Sequence, residues 1–433
     1  MKTTTLARSL RPLLVLASMA LLTTTACGLV NGFGGPWPPI GQGDDDGGVT
    51  PLVDGGVCPD GTHNGGDGTC FPDGECATGF VALDDGRCAG WTQEATLSPA
   101  RTRLTLTALD DGRVLAVGGL AVASAVPDAH LYDPTTGAWA SLAGTIAARA
   151  DHRTVVIPGN RALVAGGRDG DGALVVDTAF FRADQGALVP ASPLLTPRTG
   201  HALIAIGANV RVLGGRRADG TVLGSVEELA SGEYRAAAFS MATPRADHET
   251  AALDDGRVLV CGGVGAGGEV LAACELIAAD ALSRTVVASM TDARTDFTLV
   301  AIAGGRVLAI GGTADEDGGF APLRTAEVYD PVVDAWSDVG FLTLPRTRHG
   351  AARLTDGRVL VVGGFDGDDA PLASVEIYDP DAAAFVEGPS LTFARGEVAV
   401  VSLDDGGALA VQGSSAVDDS AVVTTTERFR VFD

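Results

Sequence analysis

Paired glycines return through this chain at a spacing close to fifty residues. The doublets are Gly118-Gly119, Gly166-Gly167, Gly214-Gly215, Gly262-Gly263, Gly311-Gly312 and Gly363-Gly364, with Gln412-Gly413 as a degenerate seventh. Their second members stand 48, 48, 48, 49, 52 and 49 residues apart. A period this steady is one structural unit copied with small loop insertions, so repetition constrains the fold ahead of any local reading. Seven copies within 433 residues describe one large repeat domain with N-terminal extras.

The unit is clearest between Arg346 and Val386. Arg346-Thr-Arg-His349-Gly-Ala-Ala-Arg-Leu-Thr-Asp356-Gly357-Arg-Val-Leu-Val-Val-Gly363-Gly364 reads as a strand, an Asp-Gly hairpin turn and a second strand apolar on both faces. Asp-Gly predicts a type I′ turn, and it recurs at Asp111-Gly112, Asp255-Gly256 and Asp405-Gly406, with Gly159-Asn160 and Gly304-Gly305 as equivalents. A strand apolar on both faces belongs to a sheet packed between two others. Ser374-Val-Glu-Ile-Tyr378-Asp379-Pro380 supplies a third strand, and Phe385-Val386 centres a short fourth. Four such antiparallel strands make one blade of a propeller.

With those residues in register, the chain resembles the kelch-repeat β-propellers. That family ends its second strand with Gly-Gly and follows a Tyr by a Trp at fixed spacing. Tyr132 with Trp139, Tyr329 with Trp336, and Tyr378 with Phe385 reproduce the pair, while Phe181 with Leu188 is an apolar substitute. The copies at Leu229 and Ile277 keep only an apolar residue in the Tyr place. The resemblance covers about Trp91 to Asp433 and implies an all-β, seven-bladed propeller over 91–433. The fourth-strand aromatic precedes the next opening Arg by ten residues, and Trp91 precedes Arg101 by ten with no repeat before it. The seventh copy ends on a third strand, Thr426 to Val431, so the strand at Gly90 to Ala95 is expected to complete the last blade and hide its edge.

Three segments precede the propeller. Residues 1–26 combine Lys2, Arg8 and Arg11 with an apolar run from Pro12 to Leu22, the pattern of a secretory signal peptide. Leu22-Thr-Thr-Thr-Ala26-Cys27 resembles the lipobox of bacterial lipoproteins, with Thr24 where Leu is usual. The resemblance implies a diacylated Cys27; plain cleavage near Ala26 is the alternative. Residues 27–57 are Gly, Pro and Asp with almost no periodic apolar residues, a tether reaching on the order of 30 Å. Residues 58–90 carry Cys58, Cys70, Cys76 and Cys88, a small module stapled by two disulfides in one of three connectivities. Cys261 and Cys274 flank a hairpin of the fourth copy, as a disulfide or as two buried thiols.

The remaining features bear on function. With 55 acidic against 30 basic residues the net charge is −25, which repels phosphate backbones and excludes nucleic acid as a partner. Each copy opens with an arginine: Arg101, Arg149, Arg198, Arg245, Arg294, Arg346 and Arg395. Four add a histidine three places on, at His152, His201, His248 and His349. This ring of arginines either binds an acidic ligand on one face or pairs with carbonyls and acids inside the fold, and exact repetition favours pairing. Acidic loops at 168–172, 315–317 and 366–369 offer oxygen ligands but lack the closing Glu of an EF-hand, so no metal and no cofactor is expected. Copper radical oxidases, which resemble kelch propellers, need two Tyr and two His. Here Tyr132, Tyr329 and Tyr378 and four of six His sit at repeat positions. No catalytic residue is therefore assigned. The reading is an exported, membrane-anchored scaffold of the cell envelope, at the outer membrane or cell surface, that binds a protein or glycan. A carbohydrate-active enzyme on the same propeller is the alternative. An asymmetric cluster of His, Glu and Arg in the channel mouth would favour the enzyme.

Overall fold

A computed structural model describes residues 50–51, 62–64, 69–72, 76, 80–83, 86–121, 124–144, 146–207, 209–316 and 319–432. The expected signal segment, Cys27, most of the tether, Cys58 and Asp317 lie outside the described residues, as does the side chain of Cys70. Seven antiparallel sheets follow one another along the chain. The first is Thr105–Ala108, Val114–Val117, Ala129–Asp133 and Ala138–Ser141; the sixth is Gly350–Arg353, Val359–Val362, Val375–Asp379 and Ala384–Gly388. First strands of successive sheets pack side by side, and that of the seventh, Ala399–Ser402, packs on that of the first. The molecule is a seven-bladed β-propeller with these strands around its axis.

Second strands are the driest part of each blade. Val114–Val117, Val258–Cys261, Val307–Ile310, Val359–Val362 and Ala408–Val411 are buried at every position. Alternate side chains enter the cores on either side, so Leu360 and Val362 join one interblade cluster and Val359 and Val361 another. The repeat aromatics lie opposite one another on the third and fourth strands: Tyr132 with Trp139, ring centroids 5.1 Å apart, Tyr329 with Trp336 at 5.3 Å, and Tyr378 with Phe385 at 4.9 Å.

Closure follows the repeat. Cys88–Glu94 pairs antiparallel with Thr426–Phe432, and Trp91 faces Phe429 at 5.4 Å in the place that Trp139 holds against Tyr132. Phe80–Ala82 adds a fifth strand to this blade, so the sheet extends into the cysteine-rich segment. The Cys76–Cys88 disulfide pins the same segment to the closing strand. Cys261 and Cys274 face one another across blade four and are disulfide-bonded. Thr50–Pro51, inside the stretch expected to be tether, pairs as a short strand with Thr69–Pro72.

One local expectation is corrected. In the Asp-Gly turns only the glycine has positive φ, 80° at Gly112, 82° at Gly256, 95° at Gly357 and 88° at Gly406. The Gly112 N–H donates to Leu109 C=O and the Leu109 N–H to Arg113 C=O. This is a type I turn closed by a left-handed glycine, a three-residue hairpin loop rather than type I′. At Gly159-Asn160 and Gly304-Gly305 both residues do have positive φ.

Candidate functional site

Blades are joined by the glycine doublets and the arginines. The second glycine donates its N–H to the carbonyl of the next blade's opening arginine, as Gly167 does to Arg198 at 3.0 Å and Gly364 to Arg395 at 2.9 Å. Both glycines have positive φ, and a Cβ on Gly167 would stand 2.5 Å from the Ala150 carbonyl oxygen. No other residue fits. At the closing joint Gln412 replaces the first glycine and bridges with its amide, Nε2 to Leu97 C=O at 2.7 Å and Oε1 from Arg101 N–H at 3.1 Å.

The arginines form an internal ring, paired inside the fold as their exact repetition favoured, and the other reading, a ring open to an acidic ligand, does not fit their burial. Arg101, Arg149, Arg198, Arg245, Arg294, Arg346 and Arg395 are each 0% exposed. Each donates from Nη1 to the carbonyl of the first doublet residue in its own blade, as Arg346 does to Gly363 at 2.9 Å. In five blades Nη2 meets a buried glutamate of the third strand: Glu227, Glu275, Glu327, Glu376 or Glu427. That glutamate also accepts N–H groups from the loop entering the blade, as Glu327 does from Thr291 and Asp292. Buried guanidinium and carboxylate are tolerated because each satisfies the other and the backbone. Blades one and two carry His130 and Ala179 in the glutamate place, and both have Asp two residues earlier. Asp128 pairs with Arg101, whereas Arg149 bonds the Asp177 carbonyl at 2.7 Å. Burial pushes Arg149 down to about 10, with Asp177 opposing.

Three places after the arginine, His152, His201, His248 and His349 are buried against the doublet of the preceding blade. Burial, reinforced by neighbouring arginines, pulls all four imidazoles down, to about 3 for His201 and His349, so they are neutral packing groups.

The side chains that do face the axis lie between these two layers, two places after each arginine: Arg103, Asp151, Gly200, Asp247, Asp296, Arg348 and Glu397. All seven are left-handed, with φ from 49° to 62°. Glycine adopts this conformation freely and other residues pay roughly 1 kcal/mol. Six of seven are charged nevertheless, so a cost recurs that glycine would remove, at residues that line a common space. With Arg153 and Glu249 from first strands and Arg168 and Arg216 from the loops after the doublets, they surround a cavity of about 660 Å³.

Ion pairs run around this mouth. Arg168 reaches Asp151 at 2.5 Å, Asp151 meets Arg103 at 3.4 Å, and Arg103 binds Glu397 at 3.1 Å and Asp419 at 2.6 Å. Glu397 continues to Arg348 at 3.3 Å, and Arg348 to Asp296 at 3.9 Å. Separately, Arg153 reaches Glu249 at 3.2 Å and Arg216 pairs with Asp247. Burial pushes Glu397 up to about 7 against the pull of Arg103, with Asp419 hydrogen-bonded to it and pushing the same way. Asp247 and Glu249 are also raised, by desolvation first, with Asp296 adding to it. The cluster is asymmetric in Arg, Asp and Glu, and of the buried histidines His152 and His349 border the same cavity.

In two of the acidic loops a carboxylate is engaged locally: Asp169 accepts the N–H groups of Asp171 and Ala173, and Asp366 those of Asp368 and Ala370. Sequence reasoning missed the third-strand glutamates and the left-handed ring. The signal for the ring was charge: the residue two after the arginine is Arg, Asp or Glu in every copy but the third, where it is Gly200.

The kelch motif matches residues 345–392, which span blade six. The molecule is a seven-bladed propeller with a kelch motif in its sixth blade. No curated protein matches its sequence. Among solved structures this propeller is similar to YjhT, at 14% identity and TM-score 0.54 over 68% of this chain and 99% of that one. It is also similar to a fungal alcohol oxidase of the AA5 family solved in complex with copper, at 15% identity and TM-score 0.61 over 79% of this chain and 76% of that one. At these identities the likeness is one of fold.

Proposed function

We propose that this kelch propeller is an exported, lipid-anchored binding module of the cell envelope that takes its ligand at the charged mouth of the propeller axis. The observation that carries the site is the ring of six charged, left-handed residues around the 660 Å³ cavity. Strained backbone kept where glycine would serve is a signature of side chains retained for what they contact. Export and anchoring rest on the signal-like segment and Cys27.

The alternative, a carbohydrate-active enzyme, is favoured by Glu397, whose carboxyl is poised to exchange a proton near neutral pH beside two arginines. An oxidase of the copper radical type fits the residues poorly, since the repeat tyrosines and histidines are buried between blades. Affinity capture from cell envelopes tests the reading, using the purified protein and its Asp247→Asn/Arg216→Gln variant. A protein or glycan enriched by the wild type and lost with the variant supports a binding mouth. Equal capture by both moves the site elsewhere, and turnover of a captured sugar replaces binding with catalysis. Mass spectrometry of the mature N-terminus checks the anchor: an unacylated residue after Ala26 rules it out.

A further inference from the structure

The mouth has two unlike sectors. Where blades six, seven and one meet, charges are knitted together and withdrawn: Glu397 and Asp419 are 11% and 7% exposed, and Arg103, at 24%, holds three carboxylates at once. Blades two to five are open. Arg153, Arg168 and Arg216 come from blades two and three, and the place of a ring side chain at Gly200 is taken by the carboxylate of Asp247. Asp247, Glu249 and Asp296 come from blades four and five. These six side chains are 35–42% exposed.

The open sector is therefore polar along one direction, three cations, with Asp151 among them, facing three anions. It closes on itself by direct pairs, Arg153 with Glu249, Arg216 with Asp247 and Arg168 with Asp151, while among the described residues Asp296 has only Arg348 at 3.9 Å and repels Asp247. A ligand must part these pairs. An anion alone would leave the acids uncompensated and a cation alone the arginines, each a loss in a partly desolvated site. A ligand carrying both charges exchanges each protein pair for two new ones. Its carboxylate takes the planar donors of the arginines, and its ammonium takes the acids that crowd one another.

Resting on the reading of the mouth as the binding site, we infer that its ligand is a small zwitterion with a carboxylate and an ammonium group, the chemistry of an amino acid or a short peptide. The carboxylate lies against blades two and three and the ammonium against blades four and five.

Calorimetric titration of the full-length protein with alanyl-alanine, N-acetyl-alanyl-alanine, alanyl-alanine amide, free alanine and maltose tests this. Binding of alanyl-alanine or alanine, weakened at least tenfold by blocking either end of the dipeptide, is the expected result; the free and peptide forms are told apart by which binds more tightly. Arg216→Gln should weaken alanyl-alanine and leave the amide, already without a carboxylate, unchanged. Asp296→Asn should do the same for the acetylated form. Both positions are half-exposed, and melting temperatures verify that the variants fold. Blocked and free dipeptides binding alike overturns the zwitterion, as does heat with maltose alone or with no probe. Maltose binding lost in Asp296→Asn overturns the zwitterion while keeping the mouth, and dipeptide binding untouched by both variants overturns the two together.

Discussion

A buried arginine is the costliest recurring residue of this fold, and seven of them are held by the same few partners. The Arg294–Glu327 pair, both residues 0% exposed, also fixes the entry loop through Thr291 and Asp292. Glu327→Ala removes the buried carboxylate of Arg294, leaving its charge to the hydroxyl of Thr325, the carbonyls of Thr325 and Gly311 and the half-exposed Asp292, and strips two N–H groups of their acceptor; it should destabilise the protein by about 3–5 kcal/mol in urea unfolding. Arg149 already lacks a buried carboxylate, so Asp177→Ala, which removes only an exposed charge, should cost about 1 kcal/mol or less. Equal losses would mean that the pairs do not carry the joint. That the arginines pair inside the fold was legible from their exact repetition, but their partners were not. Glu376 lies in a quoted motif, but its partner Arg346 is 30 positions away, and only the blade brings first and third strands together. The left-handed ring was hidden for a different reason: Gly200 alone announces such a backbone by its type, and Arg, Asp and Glu do not.

Within a blade, the doublet is where sequence and structure agree most directly, because only glycine combines positive φ with no side chain. Gly167→Ala meets the Ala150 carbonyl and should cost on the order of 2–4 kcal/mol, whereas Gly232→Ala, with φ 87° and open space around it, should cost about 1 kcal/mol. Thermal unfolding of the two variants measures the difference, and similar shifts would place the whole effect in backbone conformation. The strands and the Tyr–Trp register were readable since their periodicity is set by burial. The Asp-Gly turns were misread since two residue types fit more than one hairpin loop, and the choice depends on where the flanking strands need the bulge.

The whole molecule titrates through its buried groups. Four histidines with lowered pKa bind protons only on unfolding, so the stability they contribute is present above pH 6.5 and is lost as pH falls, by up to about 1.4 kcal/mol per pH unit each. Glu397 acts in the opposite sense: protonated in the folded state up to about pH 7, it loses stability as pH rises from 4.5 through 7. Asp247 and Glu249, also raised, act with Glu397, and His130, also lowered, acts with the other histidines; the histidines outnumber the carboxylates, and the urea midpoint should drop between pH 6.5 and 5. Glu397→Gln should reduce the decline approaching pH 7 and leave the acid limb. A midpoint flat from pH 5 to 7 would contradict the neutral histidines.

Ring closure was legible from Trp91 standing ten residues before Arg101, a spacing that repeats elsewhere only between blades. Removing residues 1–75 should leave melting and elution unchanged, whereas removing 1–94 exposes the edge of Thr426–Phe432 and should give aggregates on size exclusion. Thr92 and Arg428, hydrogen-bonded across that joint, are 336 positions apart. During synthesis the closing strand is among the first parts of the propeller to leave the ribosome, and it waits for nearly the last. Every other blade takes its four strands from one continuous stretch and is free to assemble as it emerges; the seventh is withheld until all six others have been made, which makes completion of the circle a checkpoint that a chain broken off within the repeats never passes.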